Sequence, residues 1–264
     1  VGVNMSTIRN RMTKLNGGTP ISDGPFRNGS MYLTYTNEGM PIGAFWGYKT
    51  DGLIQTQEQL NAVKRADFQP NAELGDVLFV DTNGDGKLDS SDRCMIGNPI
   101  PDIIYGINMG MAWKGFDLNL QFGGTIGNQI FNAMRYYTYF PNDITNKDRA
   151  LMNYWTPNNT NTDIPRLTAT DVNDNDRFSD MYVENGTYFR LRNAQLGYTL
   201  PASLTQRIKL QKVRFYVSGQ NLFTISSYSG MDPEVGQSSS LSRGIDYGIY
   251  PQNISFTGGI NVTF

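Results

Sequence analysis

The sequence predicts an all-β protein, and more specifically a portion of a transmembrane antiparallel β-barrel with long extracellular loops. Apolar and polar residues alternate with a period of two along most of the chain, and no sustained 3.6-residue apolar stripe occurs. Short connections and very long connections alternate between these segments along the chain. Tight turns at one end and long loops at the other are the plan of outer-membrane barrels.

The first two predicted strands form a hairpin. Every second side chain is apolar in residues 105–113, and the same alternation returns in residues 116–122. Lys114 and Gly115 lie between these segments. A two-residue connection that ends in glycine is typical of a tight hairpin turn, so we predict that the two strands pair directly.

A second pair of strands is predicted further along the chain. Residues 190–200 place Ala194, Leu196, Tyr198 and Leu200 on one face, and residues 213–224 show the same alternation. The segment between them, residues 201–212, is long enough for one or two helical turns.

The last predicted strand covers residues 254–264. Its two faces differ sharply, with small or polar residues on one and apolar residues on the other: Ile254, Phe256, Ile260, Val262 and Phe264. Residues 123–184 and 225–252 are then long connections at one end of the strands. Structureless connections of that length are unusual in a compact soluble domain.

The composition excludes several kinds of site. There is no His and only one Cys, which excludes a Ser/His/Asp triad, a His-ligated metal, an intrachain disulfide and an iron–sulfur cluster. The 22 Lys and Arg residues against 24 Asp and Glu residues argue against a nucleic-acid-binding surface. The sequence has no apolar run long enough for a transmembrane helix. That test does not detect barrel strands, because their apolar and polar residues alternate.

Two alternative classes also fit alternating strands. A soluble β-sandwich or propeller has strands of the same periodicity, with one face of each sheet exposed to solvent. In that case the protein is a secreted calcium-binding and carbohydrate-binding β-sandwich module that dissolves without detergent. A glycoside hydrolase would require two carboxylates at a fixed separation, and the sequence assigns no such pair and no catalytic residue.

The sharpest local motif is the run of Asp, Asn and Gly in residues 81–92. Oxygen-bearing side chains occupy the positions used by a twelve-residue calcium loop, and Gly86 stands at position six for the sharp turn. We predict these ligands for a structural Ca²⁺: Asp81, Asn83, Asp85, the backbone carbonyl of Lys87, Asp89 and Asp92. Asp92 replaces the usual bidentate Glu, which predicts weak binding. An Asx-rich turn is the alternative, since turns favour the same residues.

Short motifs follow one another along nearly the whole chain. They are residues 39–48 (GMPIGAFWGY), 75–76 (GD), 96–99 (IGNP), 114–118 (KGFDL), 186–193 (GTYFRLRN), 196–201 (LGYTLP), 218–222 (SGQNL) and 230–234 (GMDPE), with Phe264 at the end. In this order they resemble the C-terminal part of the SusC/RagA family of TonB-dependent outer-membrane transporters of the Bacteroidetes.

The resemblance implies a barrel of about 22 strands. Residues 1–264 are then expected to be its C-terminal portion, without the N-terminal plug and signal peptide. The implied function is import of oligosaccharides or peptides, not enzymatic catalysis. Its implied partners are a SusD-like surface lipoprotein that acts as a lid, TonB acting through the missing N-terminal part, the remainder of the barrel and outer-membrane lipid. No organic cofactor and no nucleic acid are expected.

Aromatic residues cluster where the longest predicted loop begins. Under the resemblance we expect six of them to contact substrate or the lid: Tyr136, Tyr137, Tyr139, Phe140, Tyr154 and Trp155. The alternative places these rings in the aromatic girdle that barrels carry at the membrane interface. Because exposed loops tolerate deletion while they carry function, we also expect that shortening residues 143–180 leaves the barrel intact but impairs lid docking or substrate capture.

Overall fold

The structure is a computed structural model, and it describes residues 1–140, 146–236 and 239–264. Its strands are β1 (Gly2–Thr7), β2 (Ile21–Phe26), β3 (Met31–Thr36), β4 (Ala44–Gly47), β5 (Thr50–Leu53), β6 (Val77–Phe79), β7 (Cys94–Gly97), β8 (Ile103–Trp113), β9 (Phe116–Ile126), β10 (Gln129–Asn132), β11 (Val183–Asn185), β12 (Tyr188–Thr199), β13 (Lys212–Ser226), β14 (Ile245–Asp246) and β15 (Ser255–Thr263). The α-helices are α1 (Gln57–Arg65), α2 (Ala133–Tyr139) and α3 (Ala202–Thr205), and short 3₁₀ helices cover Ser90–Asp92, Arg149–Asn153, Asp180–Tyr182 and Gln206–Ile208.

Six strands form one antiparallel sheet, which we call the wall. Its order is β1-β8-β9-β12-β13-β15. The five strands predicted from the alternation correspond to β8, β9, β12, β13 and β15, so these predictions are confirmed. β1 is not predicted, because it is short and pairs with β8 from far along the chain.

Short connections join neighbouring strands at one end of the strands. We call this side of the wall, formed by the strand ends, the inner edge. Lys114 and Gly115 both have positive φ, at 47° and 87°, which is the conformation of a type I′ hairpin turn. The connection from β12 to β13 contains α3 and the 3₁₀ helix Gln206–Ile208. Both sequence predictions for this edge are therefore confirmed.

One face of the wall is apolar and exposed. Met111, Leu118, Leu196 and Val217 lie side by side across four strands. Met111 and Val217 are 66% and 60% exposed. A β-sandwich would bury such a face under a second sheet, so the sandwich alternative is not favoured.

The opposite face of the wall is polar. Asn108 pairs with Gln121 across β8 and β9, and Asn119 lies on the same face two residues along. The guanidinium of Arg214 on β13 reaches across this face to Asp117 on β9, with 2.9 Å between Nε and Oδ1. The predicted alternation of apolar and polar faces is therefore confirmed.

A bulge in β12 changes which residues face outward. The register of β12 shifts between Leu191 and Asn193 against both of its neighbours. As a result Leu191, which has an odd number, pairs with Phe122 on the apolar face together with the even-numbered Leu196. Strict alternation cannot predict this, because a bulge inserts one residue without a change in composition.

All long connections leave the opposite, outer edge of the wall. The described parts of residues 8–102, 127–187 and 227–254 fold together there, and we call them the loop body. Smaller sheets organise it, with the orders β2-β3-β4-β7, β5-β6 and β11-β10-β14. One core cluster joins all three segments through Phe45, Phe131, Phe178 and Ile245, which are at most 2% exposed. These connections are long, as predicted, but they are folded and not structureless.

A buried carboxylate joins two segments of the loop body. Asp76 is 0% exposed, and its Oδ1 lies 2.6 Å from Arg166 Nε and 3.0 Å from Asn175 Nδ2. Ile164 and Phe178 are also buried, at 3% and 2% exposure. The described residues 146–180 therefore belong to the core of the loop body, and shortening them would remove contacts from that core. The expectation that such a deletion spares barrel assembly but impairs lid docking or substrate capture stays a prediction. Residues 143–145 lie outside the described part.

In the part of the chain that the structure describes, no helix combines the length and apolar character needed to cross a membrane.

Candidate functional site in the loop body

Three of the six predicted contact aromatics are core residues. Tyr136, Phe140 and Trp155 are 5%, 7% and 6% exposed. The ring of Tyr136 packs edge-on against Phe26 with 4.9 Å between centroids. Their rings pack inside the loop body, which does not fit a girdle on the barrel surface. Tyr136 and Phe140 also border a cleft, so a role of these rings in ligand contact stays a prediction.

The position of Trp155 follows from a close approach of the backbone. Gly75 has a φ of +85°, and a Cβ placed on it would lie 2.2 Å from Cε3 of the Trp155 ring. The indole Nε1 donates a hydrogen bond of 2.8 Å to Gln55 Oε1. Glycine at position 75 therefore provides both the left-handed backbone and the space for the ring.

Tyr137, Tyr139 and Tyr154 are half-buried, and their role in ligand contact stays a prediction. Tyr139 lines a cleft of about 470 Å³ between α2 and residues 229–231 and 246–248. The guanidinium of Arg135 lies 4.9 Å from the centre of the Tyr139 ring. Partial burial raises the pKa of the Tyr139 hydroxyl, so this group is a neutral donor near pH 7.

A second cleft, of about 520 Å³, has Tyr137 in its lining. Arg27 and Asp176 form an ion pair there with 3.0 Å between Nη1 and Oδ2. The Tyr136 hydroxyl donates to the same Oδ2 at 3.1 Å. Hydrogen-bonding groups beside aromatic rings can bind polar organic ligands such as sugars or peptides.

The predicted calcium loop is closed by its own hydrogen bonds. The backbone N–H groups of Gly84 and Gly86 donate to the carboxylate of Asp81 at 2.6 and 2.8 Å. The bond from Gly86 is the main reason that the pKa of Asp81 lies below its ordinary value. The buried carboxylate of Asp92 accepts from the backbone of Thr82 and of Asp89.

These bonds describe an Asx-rich turn. Within residues 1–140, 146–236 and 239–264, no three acidic or Cys side chains are gathered closely enough to hold a metal ion. The carboxylates of the loop point at backbone N–H groups, and a bound cation would require several of them to rotate. Calcium binding by the loop stays a prediction.

The sequence motifs also contain a charged cluster whose pairing was not predicted. Arg190 on β12 contacts Asp232 and Glu234, which lie beyond β13 in the loop body. Arg192 contacts Glu234 at 3.2 Å and the Tyr188 hydroxyl at 3.1 Å. The arginines and their acidic partners lie in two motifs noted in the sequence, residues 186–193 and 230–234. The sequence therefore identified both motifs but did not show that they contact each other.

The fold defines the class of protein. A wall with an exposed apolar face, a polar opposite face and every long connection at one edge is a portion of a membrane β-barrel. No protein-family model matches the chain.

Comparison with characterised proteins gives the family. The chain is 37% identical to TonB-dependent receptor P3 of Formosa agariphila over 273 residues, which cover 99% of the chain and 26% of that receptor. It is 28% identical to the TonB-dependent receptor SusC of Bacteroides thetaiotaomicron, with 99% and 24% of the two proteins covered. It therefore spans about a quarter of the length of these relatives.

Solved structures agree with the sequence relatives. The chain superposes on the RagAB peptide transporter with a TM-score of 0.74 at 24% identity, covering 99% of this chain and 26% of that one. The open-open state of the RagAB peptide importer gives a TM-score of 0.72 at 25% identity, with the same coverage. The chain belongs to the SusC/RagA family of TonB-dependent transporters, which are outer-membrane proteins.

Proposed function

We propose that this chain is the C-terminal barrel portion of a transporter that imports oligosaccharides or peptides across the outer membrane. The observation that supports it best is the folding of all three long outer connections into one body above the wall. Such a body presents clefts to the extracellular side, while the polar face of the wall lines part of the water-filled interior of the barrel. The outer edge is therefore the extracellular one and the inner edge is periplasmic.

Capture and energy come from partners in this proposal. A SusD-like surface lipoprotein rests on the loop body as a lid, and TonB acts on a plug that precedes this portion of the barrel. The relatives named SusC and RagAB support this arrangement. Within the loop body we assign ligand contact to Tyr139 and Tyr137, because each lines an open cleft and is only half-buried, whereas Tyr136 and Phe140 border the second cleft with buried rings.

The proposal excludes catalysis from the function of the chain. Its relatives are named receptors and transporters, and in the cleft beside Tyr137 the carboxylate of Asp176 is ion-paired with Arg27. Hydrolysis of a glycan by the purified protein would overturn this assignment.

The test uses the full-length transporter in a strain that lacks its own copy. Growth and uptake are measured with oligosaccharides and with peptides as separate nutrients, and co-purification of the lipoprotein is measured in parallel. We expect the gene to restore uptake of one nutrient class, and Tyr137→Ala with Tyr139→Ala to reduce that uptake while the barrel still assembles. Uptake that is the same with and without the gene for every nutrient would reject the proposed function.

The secreted sandwich module makes a different prediction. It would dissolve without detergent, whereas a wall with an exposed apolar face requires detergent or lipid. Detergent dependence of the intact protein, together with heat-modifiable mobility on gels, separates the two.

A further inference from the structure

The apolar row of β1 leads directly into two arginines at the extracellular edge. Val3 and Met5 are 70% and 65% exposed on the lipid-facing side of the wall. The ladder continues past the end of β1, because the Ile8 backbone N–H donates to the Asp102 carbonyl at 2.9 Å. Arg9 and Arg11 follow just beyond the end of β1, and both are exposed.

Hydrogen bonds tie this segment to residues 39–42 of the loop body. The Asn10 Oδ1 atom accepts a hydrogen bond of 2.8 Å from the Ile42 backbone N–H. Met12 exchanges backbone hydrogen bonds with Met40 and Gly39 at 2.8 and 2.7 Å. The segment is thereby held in place. Arg9 and Arg11 stay exposed, and the Arg11 guanidinium lies beside Gly39.

These two arginines lie in a stretch of the sequence without acidic residues. Residues 1–22 contain no Asp or Glu, and Lys14 adds a third positive charge. Among the described residues, neither arginine forms an ion pair. Of the nearby acids, Asp102 lines the same open cleft of about 380 Å³, and Glu38 accepts from the Leu15 backbone.

We propose that Arg9 and Arg11 bind the phosphorylated sugar headgroup of lipopolysaccharide in the outer leaflet. Guanidinium groups bind phosphate with two parallel hydrogen bonds, and Asn98 in the same cleft offers an amide to sugar hydroxyls. The apolar row of β1 lies directly below, where the acyl chains of the same lipid run. This lipid contact depends on the outer-membrane location and is independent of the import activity.

The location of the charges selects a lipid headgroup over a soluble anion. A soluble anion can be bound anywhere on the loop body, whereas these arginines lie at the boundary between the apolar row and the extracellular side. Each basic side chain near an anionic membrane surface contributes about 1 kcal/mol, which is about fivefold in affinity. Removal of both charges should therefore weaken lipopolysaccharide binding about thirtyfold.

The experiment uses the full-length transporter purified from outer membranes in mild detergent. Retained lipopolysaccharide is quantified by mass spectrometry, and affinity is measured by titration with lipopolysaccharide micelles. We expect the double variant Arg9→Ser with Arg11→Ser to lose the retained lipid, and Arg9→Lys with Arg11→Lys to keep most of it. Heat-modifiable mobility confirms that each variant is folded.

A matched control removes the same charge elsewhere. Lys64 and Arg65 are exposed at the end of α1 in the loop body, so Lys64→Ser with Arg65→Ser should leave lipid retention unchanged. Equal lipid binding by wild type and the Arg9/Arg11 serine variant would overturn the proposal. Displacement of the lipid by millimolar inorganic phosphate would also overturn it, because the site would then be a general anion site.

Discussion

Arg190 on the wall and Asp232 in the loop body form a buried ion pair, with 2.5 Å between Nη2 and Oδ1. Their side chains are 2% and 5% exposed. The other guanidinium nitrogens are also used, since Nε donates to Thr224 Oγ1 and Nη1 to Glu234 Oε2, each at 2.8 Å. An arginine that is bonded through all three guanidinium nitrogens therefore anchors the segment with Asp232 and Glu234 to the extracellular end of β12.

Removal of the carboxylate should release this anchor. In Asp232→Asn, Arg190 loses its most buried partner, and breaking a buried pair from one side costs about 3–5 kcal/mol. We expect protection from hydrogen exchange to fall in residues 227–254 while strands β8 and β9 keep theirs. Asp51→Asn, at an exposed acid on β5, is the matched control and should change nothing. Equal protection in the two variants would show that the pair does not hold the loop.

The same pair predicts a dependence on pH. Burial of the Asp232 carboxyl raises its pKa, but hydrogen bonds from the Gln252 and Glu234 backbones and from Arg190 outweigh burial and hold it below the ordinary value. A lowered folded-state pKa stabilises the fold above about pH 4, and that stabilisation is lost as the pH falls through the lowered value. The difference in protection between wild type and Asp232→Asn should therefore shrink below about pH 4. A difference that stays constant down to pH 2 would argue against the carboxylate as its source.

The two faces of the wall predict opposite effects for neighbouring substitutions. Met109 is 43% exposed on the apolar face near the middle of β8, and Asn108 beside it faces the polar side. Lys on a lipid-facing position near the midplane costs about 2–4 kcal/mol, so Met109→Lys should reduce the amount of folded protein in the membrane. Asn108→Lys should leave it nearly unchanged. Similar folded amounts for both variants would contradict the assignment of the faces.

The aromatic residues of the loop body should separate into two groups. Trp155→Ala removes a buried ring from the core and should destabilise the loop body by about 3–5 kcal/mol. Tyr139→Ala opens a cleft at the surface and should preserve stability while it lowers substrate capture. Thermal unfolding and nutrient uptake are measured on both variants. A stable Trp155→Ala variant would mean that the ring is not part of the core.

We propose that residues 81–92 bind calcium weakly after a rotation of the carboxylates. Isothermal titration of the full-length protein should then give a dissociation constant of about 10⁻⁴–10⁻³ M, because Asp92 replaces Glu. Asp85→Ala should abolish the signal, and Glu58→Ala on exposed α1 should preserve it. Absence of any heat of binding to the wild-type protein would leave the segment as the Asx-rich turn that its hydrogen bonds describe.

Local pattern carried most of the information about the wall. A strand needs only its own alternation to show which side chains share a face, so the pairing of residues near Lys114 and Gly115 was predictable from sequence. The type I′ turn was predictable for the same reason, because a two-residue connection leaves few backbone conformations. The bulge between Leu191 and Asn193 was not predictable from the sequence, because it depends on how β12 pairs with both neighbouring strands.

The loop body depended on contacts that no local pattern contains. Trp155 and Tyr139 are both aromatic residues of one long connection, yet the space left by Gly75 buries the first and a cleft half-exposes the second. Arg190 and Asp232 lie 42 residues apart, and only the return of the chain past β13 brings their charges together. By itself the sequence determined five of the six wall strands, the two faces of the wall and the edge from which the long connections leave. Tertiary structure alone decided which loop residues form the core and which charges pair, because burial and ion pairing depend on distances between segments far apart in the chain.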